Sequence, residues 1–312
     1  MLELADGRLW AWIVFNVMLV VMLVLDLAVL HREPHRVTAR EAAITSAIWI
    51  AVALVFNGIV YWRLGTTAGL QFFTGYIIEK ALSVDNLFVF AVLFTHFRVP
   101  AESQHRVLFW GVVGALIMRG TLIFIGAELI NRFHWVFYVF GAFLVLTGVK
   151  MLRPSREAPV NLERNPLLRV FRRFIPVTAG YEGTRFLVRQ GGKLFATPLL
   201  LVLVIVETTD LVFAIDSIPA IFAITTDPFI VYTSNALAVL GLRALYFLLA
   251  HVIDTFRYLS IGLAVVLVFI GAKMLLMDVV TVPVTVSLAV VLGVLLVAVG
   301  ASVLVPAARS TS

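Results

Sequence analysis

Long apolar runs alternate with short polar breaks along almost the whole chain. Nine of them approach the about 20 residues that a helix needs to cross a hydrocarbon core. They cover roughly 10–30, 41–62, 70–95, 106–127, 133–151, 195–224, 229–250, 258–277 and 283–305. The pattern predicts an all-α fold, a polytopic transmembrane helical bundle of about nine spans. The third and sixth runs are the longest, and each carries acids in its interior. Glu79-Lys80-Ala81-Leu82-Ser83-Val84-Asp85-Asn86 lies in the third, and Glu207-Thr208-Thr209-Asp210 with Asp216-Ser217 lies in the sixth. The last run contains no charge and reads as a packing helix.

Composition agrees with the pattern. Of the 312 residues, 62% are hydrophobic and 13% charged, against about half and a quarter in soluble domains. Glu3 and Asp6 precede the first run, which is too long for a cleavable signal and lacks a small-residue cleavage site. That run therefore reads as a span. There is no cysteine, which excludes disulfides and thiolate metal ligands.

The distribution of the 24 Lys and Arg orients the bundle. With the N-terminus outside, the inner segments collect Arg32, Arg36, Arg40, Arg98, Arg106, Arg257 and Arg309. They also collect the ten basic residues from Lys150 to Lys193 around the loop at 152–194. The outer segments hold only Arg8, Arg63, Arg132 and Lys273. By the positive-inside rule this predicts N-terminus outside and C-terminus cytoplasmic, in the inner (cytoplasmic) membrane. The loop mixes its basic residues with Phe171, Phe174, Ile175 and Phe186. It reads as an amphipathic segment on an anionic leaflet, with a partner-binding module as the alternative.

The chain also repeats itself. Arg119 is followed by Gly148-Val-Lys150-Met-Leu, and Arg243, at nearly the same spacing, by Gly271-Ala-Lys273-Met-Leu. An acid-bearing run precedes each arginine. Spans three to five (70–151) and six to eight (195–277) thus form two copies of a three-helix unit. Three is odd, so the second copy enters the membrane from the opposite side, as in the inverted repeats of secondary transporters. The chain then reads as one transporter domain over 1–312. Two N-terminal spans (10–62) precede the copies, and one C-terminal span (283–305) follows them.

A carboxylate at the bilayer centre costs a few kcal/mol unless paired, hydrated or bound to a cation. Glu207 and Asp210, three apart, share a helix face. Glu79 and Asp85 are six apart, as are Asp210 and Asp216, a spacing that turns about 120° on an ideal helix. Either two sites lie along a path or the helices are interrupted, and Pro219 favours interruption in the sixth span by freeing the Ile215 carbonyl. The structural alternative is salt bridges to Lys80, Arg119 or Arg243, but three basic groups cannot neutralise five acids one-to-one. The third possibility is that desolvated carboxylates hold protons. Carboxylates, the Asn86 amide and hydroxyls form a hard-oxygen set suited to Mg²⁺, Ca²⁺ or Mn²⁺. The candidate metal ligands are Glu79, Asp85, Asn86, Glu207, Asp210 and Asp216. Arg119 and Arg243 are expected to hold acids or helix ends. No phosphate loop, nucleophile triad or dinucleotide fingerprint is present, so neither an enzyme nor a nucleic-acid partner is expected.

The two acidic motifs resemble those of the TerC family of integral membrane proteins, in particular its Alx-like branch. Glu79-Lys-Ala-Leu-Ser-Val-Asp85-Asn86 and Glu207-Thr-Thr-Asp210-Leu-Val-Phe-Ala-Ile-Asp216-Ser217-Ile-Pro219-Ala carry the likeness, which covers roughly 10–305. The family is similar in architecture to the LysE-type transporter superfamily. It carries a tellurium-resistance label and is implicated in Mn²⁺ efflux and metal supply to exported proteins. The resemblance implies Mn²⁺ as the transported ion, with no permanently bound cofactor, and implies that the motif acids bind it. The residues by themselves reach only a divalent hard-cation carrier. A Ca²⁺/H⁺ exchanger and a non-transporting scaffold of an envelope stress complex are the competing readings.

Overall fold

The computed structural model describes residues 2–28, 38–152, 176–249 and 258–304. The chain divides into two units, Met1–Val37 and Thr38–Ser312. The first contains helix α1 (Leu2–Ala28), whose Val14, Val17, Val21 and Val24 are exposed.

The second unit holds α2 (Ala39–Leu64), α3 (Thr66–His96), α4 (Ala101–Arg132), α5 (Val136–Leu152), α6 (Pro198–Phe222), α7 (Pro228–Leu240), α8 (Leu242–Leu249), α9 (Leu259–Leu275) and α10 (Val284–Leu304). Thr38 caps α2 by accepting from the Glu41 amide at 3.3 Å. Asp227 caps α7 by accepting from the Phe229 amide at 3.0 Å, ahead of Pro228 at the first helical turn. Gly65, at φ 92°, turns α2 directly into α3, a conformation that side chains with a Cβ rarely adopt.

The bundle is apolar outside and polar within. Ile48, Val55 and Trp62 of α2, Ile117 and Ile125 of α4, and Leu296, Val297 and Leu304 of α10 are exposed. Buried inside are Glu79, Ser83, Asn86, Arg119, Asp210, Ser217, Asn235 and Arg243. Large exposed apolar faces over a satisfied helical backbone are what a bilayer demands. An apolar core of α3, α4, α5, α6, α9 and α10 backs the polar residues, with Ile78, Ile123, Leu144, Ile221, Leu267 and Val291 among its members.

Five helices, α1, α2, α4, α6 and α10, are individually long and apolar enough to cross a membrane, and the α7–α8 pair makes six. Helix α3 has 31 residues but carries Glu79, Lys80 and Asp85. Helices α5 and α9, at 17 residues each, reach about 25 Å. Each of the nine apolar runs contains a helix, though the sixth begins in a short strand (Lys193–Ala196) and the seventh is broken at Gly241.

Two expectations are corrected. First, α6 is one helix through Asp216 and Pro219, ending at Phe222. A proline one turn from a helix end removes a hydrogen bond there without breaking the segment before it. The break falls instead at Gly241, where α7 and α8 meet at 41°. Lys80 donates from Nζ to the Ala238 carbonyl at 3.2 Å, and a Cβ at Gly241 would lie 2.7 Å from that Nζ. The glycine admits the lysine, and the lysine satisfies a carbonyl next to the break.

Second, the fold is not purely α: the end of the basic loop forms a short β-hairpin. Residues 153–175 lie outside the described residues. Strands β1 (Leu187–Gln190) and β2 (Lys193–Ala196) form an antiparallel hairpin. Gly191 and Gly192 turn it with φ 57° and 79°, both positive as a two-residue hairpin turn needs. The segment is anchored to the ends of α3 and α4. Tyr181 donates to the Phe97 carbonyl at 2.7 Å, Arg106 to Thr184 Oγ1 at 3.0 Å, and the Arg106 guanidinium lies 5.2 Å from the Phe186 ring centre.

Candidate cation site

Three helices bring charge to one point. Arg119, in the middle of α4, grips Asp210 of α6 through two parallel bonds, Nε to Oδ2 at 2.9 Å and Nη2 to Oδ1 at 2.9 Å. Its Nη1 pairs with Oε1 of Glu79 on α3 and reaches the Ser217 hydroxyl at 3.4 Å. Glu79 is fully buried and Arg119 is 1% exposed. Burying one cation with two carboxylates is tolerable only because the guanidinium fork serves both with directed bonds. The expectation that Arg119 holds acids is met, and the acids it holds occupy matched positions. Each stands six residues before the last acid of its motif, Asp85 or Asp216.

The other candidates divide between faces of α6. Glu207, one turn before Asp210, lies against α4. A Cβ at Gly114 would collide with its carboxylate, so that glycine makes room for it. Its Oε2 is buried with no hydrogen-bond partner among the described residues. Asp216 points away, toward α5, where Thr147 donates to it at 3.3 Å and the charge of Lys150 acts on it. With α6 unbroken, the six-residue spacing separates Asp210 from Asp216 as an ideal helix requires. Asn86 is buried on α3. Asp85 also lies on α3, but its side chain is outside the described residues. Among the described residues, no three acidic or histidine side chains stand together as a metal-holding group.

Glu79 Oε2, Ser83 Oγ, Tyr76 Oη and Asn235 Nδ2 are buried without a hydrogen-bond partner among the described residues, and of these the sequence reading had not singled out Tyr76 or Asn235. Tyr76, Glu79 and Ser83 are spaced three and four apart, so they mark one stripe of α3. That spacing was readable in the sequence. Groups of this kind in a protein interior call for water or an ion.

An apolar shell around a buried, ionised interior defines an integral membrane protein. The chain belongs to the TerC family: the profile described as "Integral membrane protein TerC family" matches residues 64–310. The chain is similar to an uncharacterized membrane protein of Myxococcus xanthus, 50% identical over 299 residues, 96% of this chain and 92% of that one. It is 49% identical over 293 residues, 91% of each chain, to an Escherichia coli K12 protein named "Putative membrane-bound redox modulator Alx". An uncharacterized Rickettsia bellii membrane protein is 39% identical, with 94% and 97% covered. No solved structure matches.

Proposed function

We propose that the protein is a secondary transporter that exports Mn²⁺ from the cytoplasm in exchange for protons. The observation that carries this reading is the buried Glu79–Arg119–Asp210 group with Glu207 beside it. It presents more carboxylates than the guanidinium alone neutralises, inside a lipid-facing bundle. Glu79, Asp85, Asn86, Glu207, Asp210 and Asp216 are the proposed metal residues, Asp85, Glu207 and Asp210 at the centre. Hard-oxygen ligands support a divalent cation of the Mn²⁺, Mg²⁺, Ca²⁺ class, and family membership supports manganese within it. Exporting a dication against an inside-negative potential is uphill by about 2.3 kcal/mol per charge per 100 mV, which proton entry can supply.

The proposed architecture is nine spans in the inner membrane, N-terminus outside, with α3–α5 and α6–α9 as inverted copies. Three observations support the repeat. Helix α3 packs on α7 while α4 packs on α6, as exchanged copies would. Glu79 and Asp210 meet at one arginine. The α5–α9 crossing, moreover, is self-complementary. In the register that aligns Gly148-Val-Lys150 with Gly271-Ala-Lys273, Gly141, Val145 and Gly148 correspond to Ala264, Val268 and Gly271. A Cβ at Gly148 would lie 2.7 Å from the Ala264 carbonyl oxygen and the same distance from Val268 Cγ2. A Cβ at Gly271 would lie 2.7 Å from the Gly141 carbonyl oxygen and 2.8 Å from Val145 Cγ2. Each contact has its mirror, the mark of a two-fold relation, and the helices run antiparallel.

The redox name of the Escherichia coli relative enters this reading through metal supply, since these 312 residues contain no cysteine. The test is ion flux into proteoliposomes, comparing Mn²⁺, Ca²⁺, Mg²⁺ and Zn²⁺ with and without a pH gradient. Mn²⁺ movement coupled to the gradient is expected. Equal leak in protein-free vesicles would leave a scaffold role.

A further inference from the structure

The arginine that pairs the two motifs fills the space between two of the proposed cation ligands. Glu79 and Asp210 each stand six residues before the last acid of their motif, on α3 and α6, two helices that pack on each other. A dication bridging two carboxylates would take the position that the guanidinium now fills. The fork makes the fullest use of Asp210 and only a one-point contact with Glu79, whose second oxygen is buried and unpartnered among the described residues. The site is thus electrostatically occupied yet not saturated.

We propose that Arg119 is a tethered competitor of the transported cation, which loads by displacing the guanidinium from Glu79 and Asp210. This rests on the cation-transport reading. The guanidinium gives both carboxylates a positive partner in a dry interior when no metal is present. It also sets an upper limit on affinity, because every bound dication must first win carboxylates from a charge held at contact distance. A carrier benefits from that limit, since an ion bound too tightly does not leave. Glu207 shares the face of Asp210 one turn away and has a free buried oxygen.

The test compares purified full-length protein with Arg119→Gln and Arg119→Lys variants, reading the thermal midpoint against the concentration of Mn²⁺, Ca²⁺, Mg²⁺ or Zn²⁺. Metal-free Arg119→Gln should melt below the wild type. It should then be rescued by a dication, with stabilisation setting in at a concentration at least about tenfold lower than the wild type needs, because a ligand of the folded state stabilises it by RT ln(1 + [L]/Kd). A few millimolar guanidinium should push that concentration back up in the variant and leave the wild type unmoved. Arg119→Lys, which makes a single-point contact, should tighten by a smaller factor, and it supplies the answer if Arg119→Gln does not fold. A merely structural arginine predicts a destabilised variant whose metal affinity is unchanged or weaker and insensitive to guanidinium, and that result overturns the proposal. So does a failure of every variant to bind any of the four ions. Wild type that moves no Mn²⁺ in vesicles, alongside an Arg119→Gln that binds dications more tightly, would sink manganese export while leaving the competitor in place.

Discussion

Arg119 and Asp210, from helices α4 and α6, face each other through two hydrogen bonds of 2.9 Å each, in a place where Arg119 is 1% exposed. Their pairing ties the first acidic motif to the second, because the same guanidinium also holds Glu79. It follows that a change at Asp210 acts on both halves of the candidate site at once.

Asp210→Asn keeps the shape and removes the charge. Transport of Mn²⁺ should be lost, and the protein should be destabilised by roughly 1–3 kcal/mol, since Glu79 still balances the arginine while one charge-assisted pair becomes neutral. Asp85→Asn should also abolish transport. Vesicle flux and thermal unfolding of the same preparations separate the two effects. Normal flux through both variants, with normal expression, would remove the carboxylates from the mechanism.

Gly114 is needed for the approach of Glu207 to α4. Gly114→Ala should cost about 1–3 kcal/mol through overpacking. In a Glu207→Ala background the same change should be neutral, or stabilising by up to about 1 kcal/mol from the better helix propensity of alanine. A double-mutant cycle measures the difference. Equal costs in the two backgrounds would mean that the glycine serves something other than Glu207.

The α5–α9 crossing should tolerate no added methyl. Gly148→Ala and Gly271→Ala each place a Cβ 2.7 Å from a backbone oxygen, and each should destabilise by about 1–3 kcal/mol. Gly293 on α10 has open space around it, so Gly293→Ala should be neutral or slightly stabilising. Unfolding in detergent gives the ranking, and the pair should behave alike if the crossing is two-fold.

The hairpin is pinned by the Tyr181 hydroxyl on the Phe97 carbonyl, and burial raises the pKa of this phenol above its ordinary value. A raised value means that the anchor is fully present below about pH 10, the value of an unfolded tyrosine. It is lost as pH rises through the higher value of the folded protein. The amide protection factors of residues 187–196, taken against the intrinsic base-catalysed rate, should therefore fall in strong alkali. Tyr181→Phe should show faster exchange already at neutral pH, with a weaker alkaline step.

The chain's apolar runs made the helices legible, because in a membrane-sized bundle run length and helix length answer to the same hydrocarbon thickness. Asp210 and Asp216 were visible as acids on different faces, and the continuous α6 kept them apart. Pro219 misled, since its effect depends on how near the helix end falls, and that is set by the turn before Asp227 rather than by the proline. The Gly241 break was not readable: the glycine matters there because Lys80, distant in sequence, comes to it. The Gly191-Gly192 turn was present in the sequence, but the basic residues around it favoured a different reading. Which acids Arg119 would hold could not be read, because the choice depends on the packing of α3, α4 and α6.

The mirrored contacts of Gly141, Val145 and Gly148 with Gly271, Val268 and Ala264 bear on how the proposed halves would exchange roles. A contact that maps onto itself when the copies are swapped looks the same from either face of the membrane. A seam of this kind has no inward-facing and outward-facing version of itself. As the site opens first to one side and then to the other, this seam of glycines would serve as the axle, unchanged while the rest of each half trades places around it.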